Sequence, residues 1–421
     1  MRLAQQAFHG YRHTSLEARA AFLESIARHI EDLGPTLLER VRDETGLPAA
    51  RVESERDRTT GRLRMFAAVV REGGWLDAHI DPALPGRTPV PRPDLRRRRI
   101  PLGPVVVFTA SNFPLAFSVA GGDTASALAA GAPVVVKAHP SHPGTSELVG
   151  RAVRAAVREH GLPEGTFSLL HGPGPGPGPD LGRALVTDPP IKAVGFTGSR
   201  RGGLALCETA SRRPEPIPVF AEMSSVDPVF LLPNALRRDP DGLGRAFIAS
   251  MTSSTGQMCT SPGLVFAHEG EDLERFVRAA AAAVRHYTAT PMLSPGIHGN
   301  CTQGLAGLEA VEGVTVRARG GENDEVATPG RAAVLVTDAE TFLATPALRA
   351  EVFGPASLVV GVPAATGMEN LAAALEGQLT ATVHATDADL PTASRLLDTL
   401  ELLAGASSST AGPPAWRSVT P

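Results

Sequence analysis

Short apolar runs alternate with amphipathic segments along most of this 421-residue chain, and this alternation limits the folds it can adopt. Runs such as Val105-Val-Val-Phe and Val134-Val-Val carry the β-branched residues that strands favour. Each is followed by a segment with helical periodicity, for example residues 122–130 and 145–159. Fully apolar strands separated by helices are typical of a parallel sheet that is covered on both faces. The sequence therefore predicts an α/β protein with a doubly wound sheet.

A second series of apolar runs follows the first and predicts a second α/β domain. The first series ends before Glu222, and the second begins at Val229. We place a first domain at residues 1–225, with 80–100 as a bridging segment, and a second at 226–400. Residues 14–73 are predicted to be helical, and residues 298–331 are turn-rich and predict a surface insertion. Residues 401–421 remain as a C-terminal segment.

Composition and charge disfavour several classes of protein. The net charge is −4 and the isoelectric point about 6.3, so nothing attracts the chain generally to nucleic acid or membrane. The basic run at residues 96–99 has no second basic cluster, which favours a solvated strand or linker. Three widely spaced cysteines imply no disulfide framework and fit a reducing cytoplasm. The histidines and cysteines lack the spacing of a metal site.

One cysteine lies in a loop of small and turn-forming residues. The stretch Gly256-Gln-Met-Cys-Thr-Ser-Pro-Gly holds Cys259 just before an apolar run. A structural cysteine would normally lie within such a run and be inert. Upstream, Glu222 directly follows the apolar stretch that begins at Ile217. A loop thiol and a carboxylate at a strand end are the nucleophile and the base that acyl-thioenzyme chemistry needs. By contrast, we expect Cys207 to be a buried packing residue and Cys301 to be a loop residue without a specific role.

Lysine is rare in this chain, whose basic residues are almost all arginine. Only Lys137 and Lys192 occur among 40 lysines and arginines, and the two residue types are not interchangeable at a tight hydrogen-bonding site. Lys137 ends the apolar run that begins at Ala132, so it is predicted at the mouth of a buried strand, where open α/β sheets bind ligands. A surface lysine with a buried stem is the alternative. Lys192 precedes a strand, and a functional role is less favoured there.

Three further loop segments have both a functional and a structural interpretation. Phe196-Thr-Gly-Ser199 closes a strand and opens a helix, so its N–H groups could bind a pyrophosphate. Asn112 also follows a strand; its amide could donate to a developing oxyanion, or it could form an Asx turn. The tract Gly172-Pro-Gly-Pro-Gly-Pro-Gly-Pro has the spacing of a phosphate-binding loop. Its prolines lack the N–H donors of such a loop, which favours a stiff surface turn.

In order along the chain these segments resemble the aldehyde dehydrogenase superfamily. The resemblance rests on Asn112, Lys137, Phe196-Thr-Gly-Ser199, Glu222, Cys259 and Glu351-Val-Phe-Gly-Pro355, and it covers nearly the whole chain. Ala110-Ser-Asn-Phe-Pro, Lys137-Ala-His-Pro-Ser-His-Pro-Gly and Cys259-Thr-Ser-Pro are similar to the branch with α-ketoglutaric semialdehyde and NADP-dependent fatty aldehyde dehydrogenases. The resemblance implies a Rossmann-type cofactor domain, a catalytic domain and NAD(P)-dependent oxidation of an aldehyde to a carboxylate. The substrate would be a semialdehyde or an aliphatic aldehyde.

The resemblance also implies a role for each site residue. Cys259 would be the nucleophile, Asn112 with the Cys259 N–H the oxyanion hole, and Glu222 the base that activates water. The residues implied at the cofactor are Lys137 and Glu351 at the nicotinamide ribose, Ser199 at the pyrophosphate, Phe353 against the nicotinamide, and Thr109 and Gly198. Phe113 and Arg417 would contact the substrate. NADP should be tolerated and could be preferred, because Pro140 stands where NAD-preferring relatives carry a glutamate.

Departures from the family pattern carry expectations of their own. The chain begins without the leading strands of the family, and its last residues resemble a shortened substrate loop. We therefore expect a reduced oligomerisation segment and a dimer or monomer rather than a tetramer. Ser224 and Ser225 replace a usual glycine pair and could narrow the active-site tunnel.

Two other functions remain open on the sequence alone. An enzyme of the same fold could pass the acyl group to another nucleophile or work in the reductive direction. Retention of Glu222 disfavours this alternative, because a base that activates water would hydrolyse the thioester. A non-catalytic scaffold is the second alternative. The presence of Cys259, Asn112 and Lys137 together disfavours this alternative, because a protein without catalytic activity would not need all three residues.

Overall fold

A computed structural model describes residues 1–172 and 180–410, with no side chains described for residues 406–410. The described chain divides into two compact units, of which the first is Met1–Met223 and the second begins at Ser224. No helix within these residues is long and apolar enough to cross a membrane.

The first unit opens with four helices and continues with a strand and helix alternation. Its helices are α1 (Arg2–Tyr11), α2 (Leu16–Glu31), α3 (Gly34–Thr45), α4 (Ala49–Glu72), α5 (Gly122–Ala130), α6 (Pro143–Glu159), α7 (Leu181–Thr187) and α8 (Arg200–Ser211). Its strands are β1 (His79–Asp81), β2 (Leu95–Arg97), β3 (Val105–Phe108), β4 (Val134–Lys137), β5 (Phe167–Leu170), β6 (Ala193–Thr197) and β7 (Val219–Glu222). The predicted helical region is confirmed, and Ser15 caps α2 by accepting from the Ala18 N–H.

Five parallel strands form the main sheet of the first unit in the order β5-β4-β3-β6-β7. The chain winds outward from β3 through β4 to β5, then returns to the other side of β3 and continues through β6 to β7. The change of direction lies between β3 and β6, where ligands of doubly wound folds bind. The two short strands β1 and β2 pair antiparallel and are exposed, so the basic run of residues 96–99 is solvated.

The second unit has its own larger sheet. Its helices are α9 (Pro233–Arg238), α10 (Pro240–Met251), α11 (Glu271–Arg285), α12 (Pro295–Glu309), α13 (Ala339–Ala344), α14 (Met368–Ala373) and α15 (Leu390–Leu403). Its strands are β8 (Val229–Leu231), β9 (Leu264–His268), β10 (Thr290–Pro291), β11 (Thr315–Arg319), β12 (Pro329–Gly330), β13 (Ala333–Asp338), β14 (Ala356–Val362), β15 (Gln378–His384) and β16 (Ala404–Thr410).

Seven strands of the second unit pair in the order β11-β13-β14-β9-β8-β15-β16. Only the pairing of β11 with β13 is antiparallel within this sheet. Both faces of the sheet are covered: Phe230, Phe266 and Phe342 pack on one side, while Phe247 and Phe276 pack on the other. The predicted doubly wound α/β class is confirmed in both units.

The surface insertion predicted at residues 298–331 is wrong. This segment contains most of α12 and the edge strand β11, which pairs with β13 through residues 315–319. Leu305 and Leu308 are buried in the core of the sheet. The polar composition of the segment suggested an insertion. Helix α12 buries only one narrow face, so it contains few apolar residues although it belongs to the core structure.

Candidate active site

The carboxyl ends of the parallel strands in the first unit gather several predicted site residues. Lys137 is the last residue of β4, and Thr109 directly follows β3. Thr109 donates from its N–H and its hydroxyl to the Lys137 carbonyl, each at 3.3 Å, which joins the two strand ends. The Lys137 side chain is half-buried, and burial lowers the pKa of its ammonium. A partly desolvated cation at this edge is suited to binding the hydroxyl groups or the charge of a ligand.

Asn112 lies in a loop after β3 that is fixed from two directions. The Ala110 carbonyl is 3.0 Å from Nε2 of His142, which is fully buried. On the other side, Glu55 of α4 accepts hydrogen bonds from the backbone N–H groups of Leu115 and Ala116, at 2.8 and 3.0 Å. Asn112 itself is half-buried. A loop held on both sides fixes the backbone from which the Asn112 side chain extends, which limits the positions that its amide can take.

The segment after β6 begins a helix, as its sequence predicted. Ser199 is the N-cap of α8, and its hydroxyl accepts from the Gly202 N–H at 3.3 Å. The neighbouring Gly198 donates from its backbone N–H to the Glu222 carbonyl at 3.0 Å. Ser199 and Gly198 are exposed, so both are accessible to a ligand at the start of α8.

Glu222 is the last residue of β7, the edge strand of the sheet. It pairs in register with Thr197 of β6, and its side chain is half-buried. The sheet order places it two strands away from the Asn112 loop, on the same carboxyl edge. A carboxylate at this edge is positioned by the backbone ladder of β6 and β7.

Phe113 has contacts that favour packing. Its side chain is only 2% exposed, and its ring lies edge-on to Phe117 with centroids 5.1 Å apart. The guanidinium carbons of Arg51 and Arg58 lie 4.5 and 5.3 Å from the centroid of the Phe113 ring. Because so little of this ring is accessible, we assign it to the support of the Asn112 loop and not to the substrate contact expected from the sequence.

Cys259 follows an unusual backbone segment in the second unit. Ser254, Thr255 and Gly256 have φ values of 49°, 58° and 66°, all in the left-handed region, which costs on the order of 1 kcal/mol or more for each non-glycine residue. The buried Gln257 holds this segment in place, because its side chain donates to the Ser254 carbonyl at 3.2 Å and accepts from the Leu293 N–H at 3.0 Å. The thiol of Cys259 is half-buried.

Glu351 and Phe353 lie with the cysteine loop around one cavity of the second unit, which Gly256, Met258 and Ser225 also line. Burial raises the pKa of the Glu351 carboxyl to about 8, helped by the nearby Asp227 charge and opposed by a hydrogen bond from the Ser225 N–H. Below that pH this carboxyl is therefore mostly protonated in the ligand-free protein.

Two glycines allow the cysteine loop to approach the Glu351 segment. A Cβ on Gly256 would lie 2.2 Å from the Gly354 carbonyl carbon, so no larger residue fits at that point. A Cβ on Gly354 would lie 2.3 Å from Sγ of Cys301. The Gly354 segment is thus packed between the cysteine loop and α12.

The predictions for the other two cysteines are wrong. Cys301 lies in α12 and is buried behind Gly354, so it is a packing residue and not an incidental loop residue. Burial raises the pKa of its thiol to about 11, which keeps it unreactive. Cys207 is only half-buried on α8 and not a buried packing residue, and Leu204, three residues before it, is also exposed to solvent.

Ser225 has a structural role that the sequence did not reveal. Its Oγ lies 3.0 Å from Oδ1 of Asp227 and accepts from the Leu379 N–H at 3.0 Å. The hydroxyl is therefore engaged in joining the start of β8 to β15. This does not support the expected narrowing of a tunnel by this side chain.

The structure thus brings the predicted residues together in two sets. The residues that share the carboxyl edge of the sheet in the first unit are Lys137, Thr109, Asn112, Gly198, Ser199 and Glu222. In the second unit the loop that carries Cys259 lines one cavity with Glu351 and Phe353 through its residues Gly256 and Met258. Arg417 and most of the glycine–proline tract, residues 173–179, lie outside the described residues. Sequence reasoning did not identify the supporting residues Glu55, Gln257 and Asp227, because their roles depend on tertiary contacts that no local pattern shows.

The chain is similar to known proteins over nearly its whole length. The sequence model of the aldehyde dehydrogenase family matches residues 1–402. The chain is 54% identical over 403 residues to alpha-ketoglutaric semialdehyde dehydrogenase 2 of Azospirillum brasilense, covering 96% of this chain and 76% of that protein. It is 44% identical to alpha-ketoglutaric semialdehyde dehydrogenase of Acinetobacter baylyi, covering 96% and 75%.

Solved structures share the fold. A salicylaldehyde dehydrogenase from Pseudomonas putida complexed with salicylaldehyde has a TM-score of 0.78 at 19% identity, covering 99% of this chain and 82% of that one. A glyceraldehyde-3-phosphate dehydrogenase from Methanocaldococcus jannaschii complexed with NADP has a TM-score of 0.78 at 19% identity, covering 97% and 84%. The resemblance seen in the sequence is confirmed: this chain belongs to the aldehyde dehydrogenase family and is an oxidoreductase that oxidises aldehydes with NAD(P).

Proposed function

We propose that Cys259 is the nucleophile, Asn112 with the Cys259 N–H the oxyanion hole, and Glu222 the base of this aldehyde oxidation. The Cys259 thiol loses its proton to solvent, and the thiolate sulfur bonds to the aldehyde carbon as the carbonyl π bond breaks. Asn112 donates a hydrogen bond to the oxyanion that receives this electron pair. A nicotinamide held by the cofactor residues named below would supply the hydride acceptor that the conversion of the thiohemiacetal to a thioester requires. Glu222 then takes a proton from water as the water oxygen bonds to the thioester carbon. The carbon–sulfur bond breaks, and the carboxylate leaves.

One observation carries this assignment of roles. Lys137, Asn112, Ser199 and Glu222 stand at the ends of four neighbouring parallel strands, β4, β3, β6 and β7. Residues of one edge can contact one extended ligand, and the change of strand direction between β3 and β6 lies in the middle of this set.

The cofactor residues are part of the same proposal. Lys137 and Glu351 hold the nicotinamide ribose, Ser199 and Gly198 contact the pyrophosphate, Thr109 lines the same edge, and Phe353 packs against the nicotinamide. The half-buried cation of Lys137 and the exposed N-terminus of α8 fit a ligand with ribose hydroxyl groups and phosphates.

We further propose that NADP is tolerated as the cofactor. Pro140, three positions after Lys137, offers no negative charge that would repel a 2′-phosphate. His139 beside it is neutral, since burial and the neighbouring His142 lower its imidazole pKa to about 3. Comparing kcat/KM for NAD and NADP tests this point: a preference for NAD on the order of 10²-fold or more would contradict it.

The proposed substrate is a semialdehyde that carries a carboxylate. The two relatives at 54% and 44% identity are both named for α-ketoglutaric semialdehyde. We expect purified protein with NADP to oxidise α-ketoglutaric semialdehyde with a higher kcat/KM than simple aliphatic aldehydes. Absorbance of the reduced cofactor measures this, and faster turnover of the aliphatic aldehydes would contradict the substrate class.

The assembly expected from the sequence, a dimer or a monomer, stays a prediction. Light scattering coupled to size-exclusion chromatography measures it directly, and a stable tetramer would show the expectation to be wrong.

A further inference from the structure

The loop that carries Asn112 is closed by its own backbone and held in place from outside. The Ala110 N–H donates to the Phe117 carbonyl at 2.9 Å, which joins the two ends of the loop. Two N–H groups inside this closed segment donate to the carboxylate of Glu55, which belongs to helix α4. The bond between the ends gives the loop its shape, and the contact with α4 sets where that shape lies in the first unit.

The Glu55 carboxylate is fully buried and engaged at both oxygens. Its Oε1 accepts from the N–H groups of Leu115 and Ala116, at 2.8 and 3.0 Å, and its Oε2 accepts from Nη1 of Arg51 at 2.7 Å. All three partners donate, so the ionised carboxylate, which only accepts, suits them. Burial raises the pKa of this carboxyl, and Arg51 with the two N–H groups opposes that effect.

The ion pair between Arg51 and Glu55 contributes more to the position of the loop than to stability. A buried ion pair commonly adds little net stability, because the cost of desolvating both charges offsets most of their attraction. Its charged oxygens still form strong, directional hydrogen bonds with the donors around them. The pair is therefore better suited to specify one position of the loop than to stabilise the fold.

Only two residues separate the bound N–H groups from Asn112. Phe113 is 2% exposed, and the guanidinium carbon of Arg51, the partner of Glu55, lies 4.5 Å from the centroid of its ring. The next residue, Pro114, has a φ angle restricted by its own ring, and it also limits the backbone of Phe113. Because each residue along this short path is restrained, a change in the position of the bound N–H groups also moves Asn112.

We propose that Glu55 is a positioning residue, which places the Asn112 amide where the oxyanion of the thiohemiacetal forms. Glu55 acts through the backbone of the loop and does not contact the substrate. A displacement of about 1 Å near a reacting centre can cost a factor of about 10² in rate. Removal of the carboxylate should therefore lower kcat although Asn112 remains. This inference rests on the proposed function of Asn112, and it adds the group that sets the geometry of that donor.

A double-mutant cycle on kcat tests whether Glu55 acts through Asn112. With saturating NADP and α-ketoglutaric semialdehyde, we expect Glu55→Ala to lower kcat by about tenfold to a hundredfold and to change KM for the aldehyde by less than about twofold. In the Asn112→Ala background no amide is left to position, so the same change should lower kcat by less than about twofold further. Glu53→Ala is the matched control, because Glu53 lies on the same helix and is exposed. It should leave kcat unchanged.

A second variant keeps the shape of the side chain and guards against misfolding. Glu55→Gln retains one acceptor oxygen, but both oxygens of the carboxylate face donors, so its kcat should lie between those of the wild type and Glu55→Ala. The Kd for NADPH should be unchanged in both variants, which shows that the first unit is folded. If Glu55→Ala fails to bind NADPH, the cycle is carried out with Glu55→Gln in its place.

The outcomes separate this inference from the proposed function. Equal losses of kcat in both backgrounds, or no loss in the wild-type background, would overturn the role of Glu55 while the function of Asn112 stands. If Asn112→Ala alone leaves kcat unchanged, the oxyanion role of Asn112 is wrong and this inference falls with it.

Discussion

The two sheets of this protein present their site residues at opposite ends of their parallel strands. In the first unit Lys137 and Glu222 are the last residues of their strands, and Asn112 follows the end of β3. In the second unit Cys259 precedes β9 and Glu351 precedes β14, so these residues lie at the amino ends. Parallel open sheets bind ligands at their carboxyl ends as a rule. The first unit follows this rule and the second does not.

The second unit builds its site from loops in place of strand ends. Its cysteine loop depends on three residues in the left-handed conformation, on the buried Gln257, and on two glycines that allow close approach of the Glu351 segment. Such a loop costs conformational strain, and that strain must be offset by tertiary contacts. A thiol on such a loop is held away from the apolar strands that would make it inert.

The largest effect is expected at the loop of the second unit. Cys259→Ser should lower kcat by on the order of 10³-fold or more, because a hydroxyl without a depressed pKa is a poor nucleophile. Cofactor binding should be nearly unchanged. Cys207→Ser is the matched control, since Cys207 is also half-buried but lies on α8. Substantial turnover in the Cys259 variant would show that the loop does not carry the reacting atom.

A smaller loss is expected at the carboxyl edge of the first unit. Asn112→Ala should lower kcat by about 10²–10³-fold with little change in KM for the aldehyde, as is usual when one oxyanion donor is removed. Steady-state kinetics with saturating cofactor measures this. A change confined to KM would assign Asn112 to ground-state binding and remove it from the oxyanion hole.

The two lysines offer a direct comparison of positions in the first unit. Lys137→Met should raise KM for the cofactor by about tenfold to a hundredfold, because a charged donor to the ribose is lost. Lys192→Met should have no such effect, since Lys192 forms an ion pair with Glu215 at 2.7 Å. Equal KM values for the cofactor in the two variants would contradict the proposal that Lys137, at the end of β4, binds the cofactor.

The smallest effect concerns the pH dependence of cofactor binding in the second unit. With a pKa of about 8, the Glu351 carboxyl becomes ionised as pH rises from 7 to 9, and only then accepts strong hydrogen bonds from ribose hydroxyls. The Kd for NADPH, followed by its fluorescence, should therefore decrease up to about tenfold over this range. In Glu351→Gln the Kd should not vary with pH in this way. An unchanged pH profile in that variant would place Glu351 away from the ribose.

The sequence predicted most of the first unit and less of the second, for a physical reason. Strand ends are set by apolar periodicity, which is local, so Lys137 and Glu222 could be placed on one edge before the structure was known. The burial of Cys301 depends on the close passage of Gly354 over α12, and the engagement of Ser225 depends on Asp227 and β15. These contacts join segments far apart in the chain. Helix α12 was missed because its apolar residues are few.

The central claim is that Cys259 carries the acyl group and that Glu222 activates the water that releases it. Glu222→Gln should slow hydrolysis by about 10²–10⁴-fold and leave hydride transfer in place. Mixing this variant with NADP and α-ketoglutaric semialdehyde, followed by acid quench and peptide mass spectrometry, measures the trapped intermediate directly. The account predicts a burst of reduced cofactor and an acyl group on the peptide that contains Cys259. Full steady-state turnover, or an acyl group on any other peptide, would contradict it.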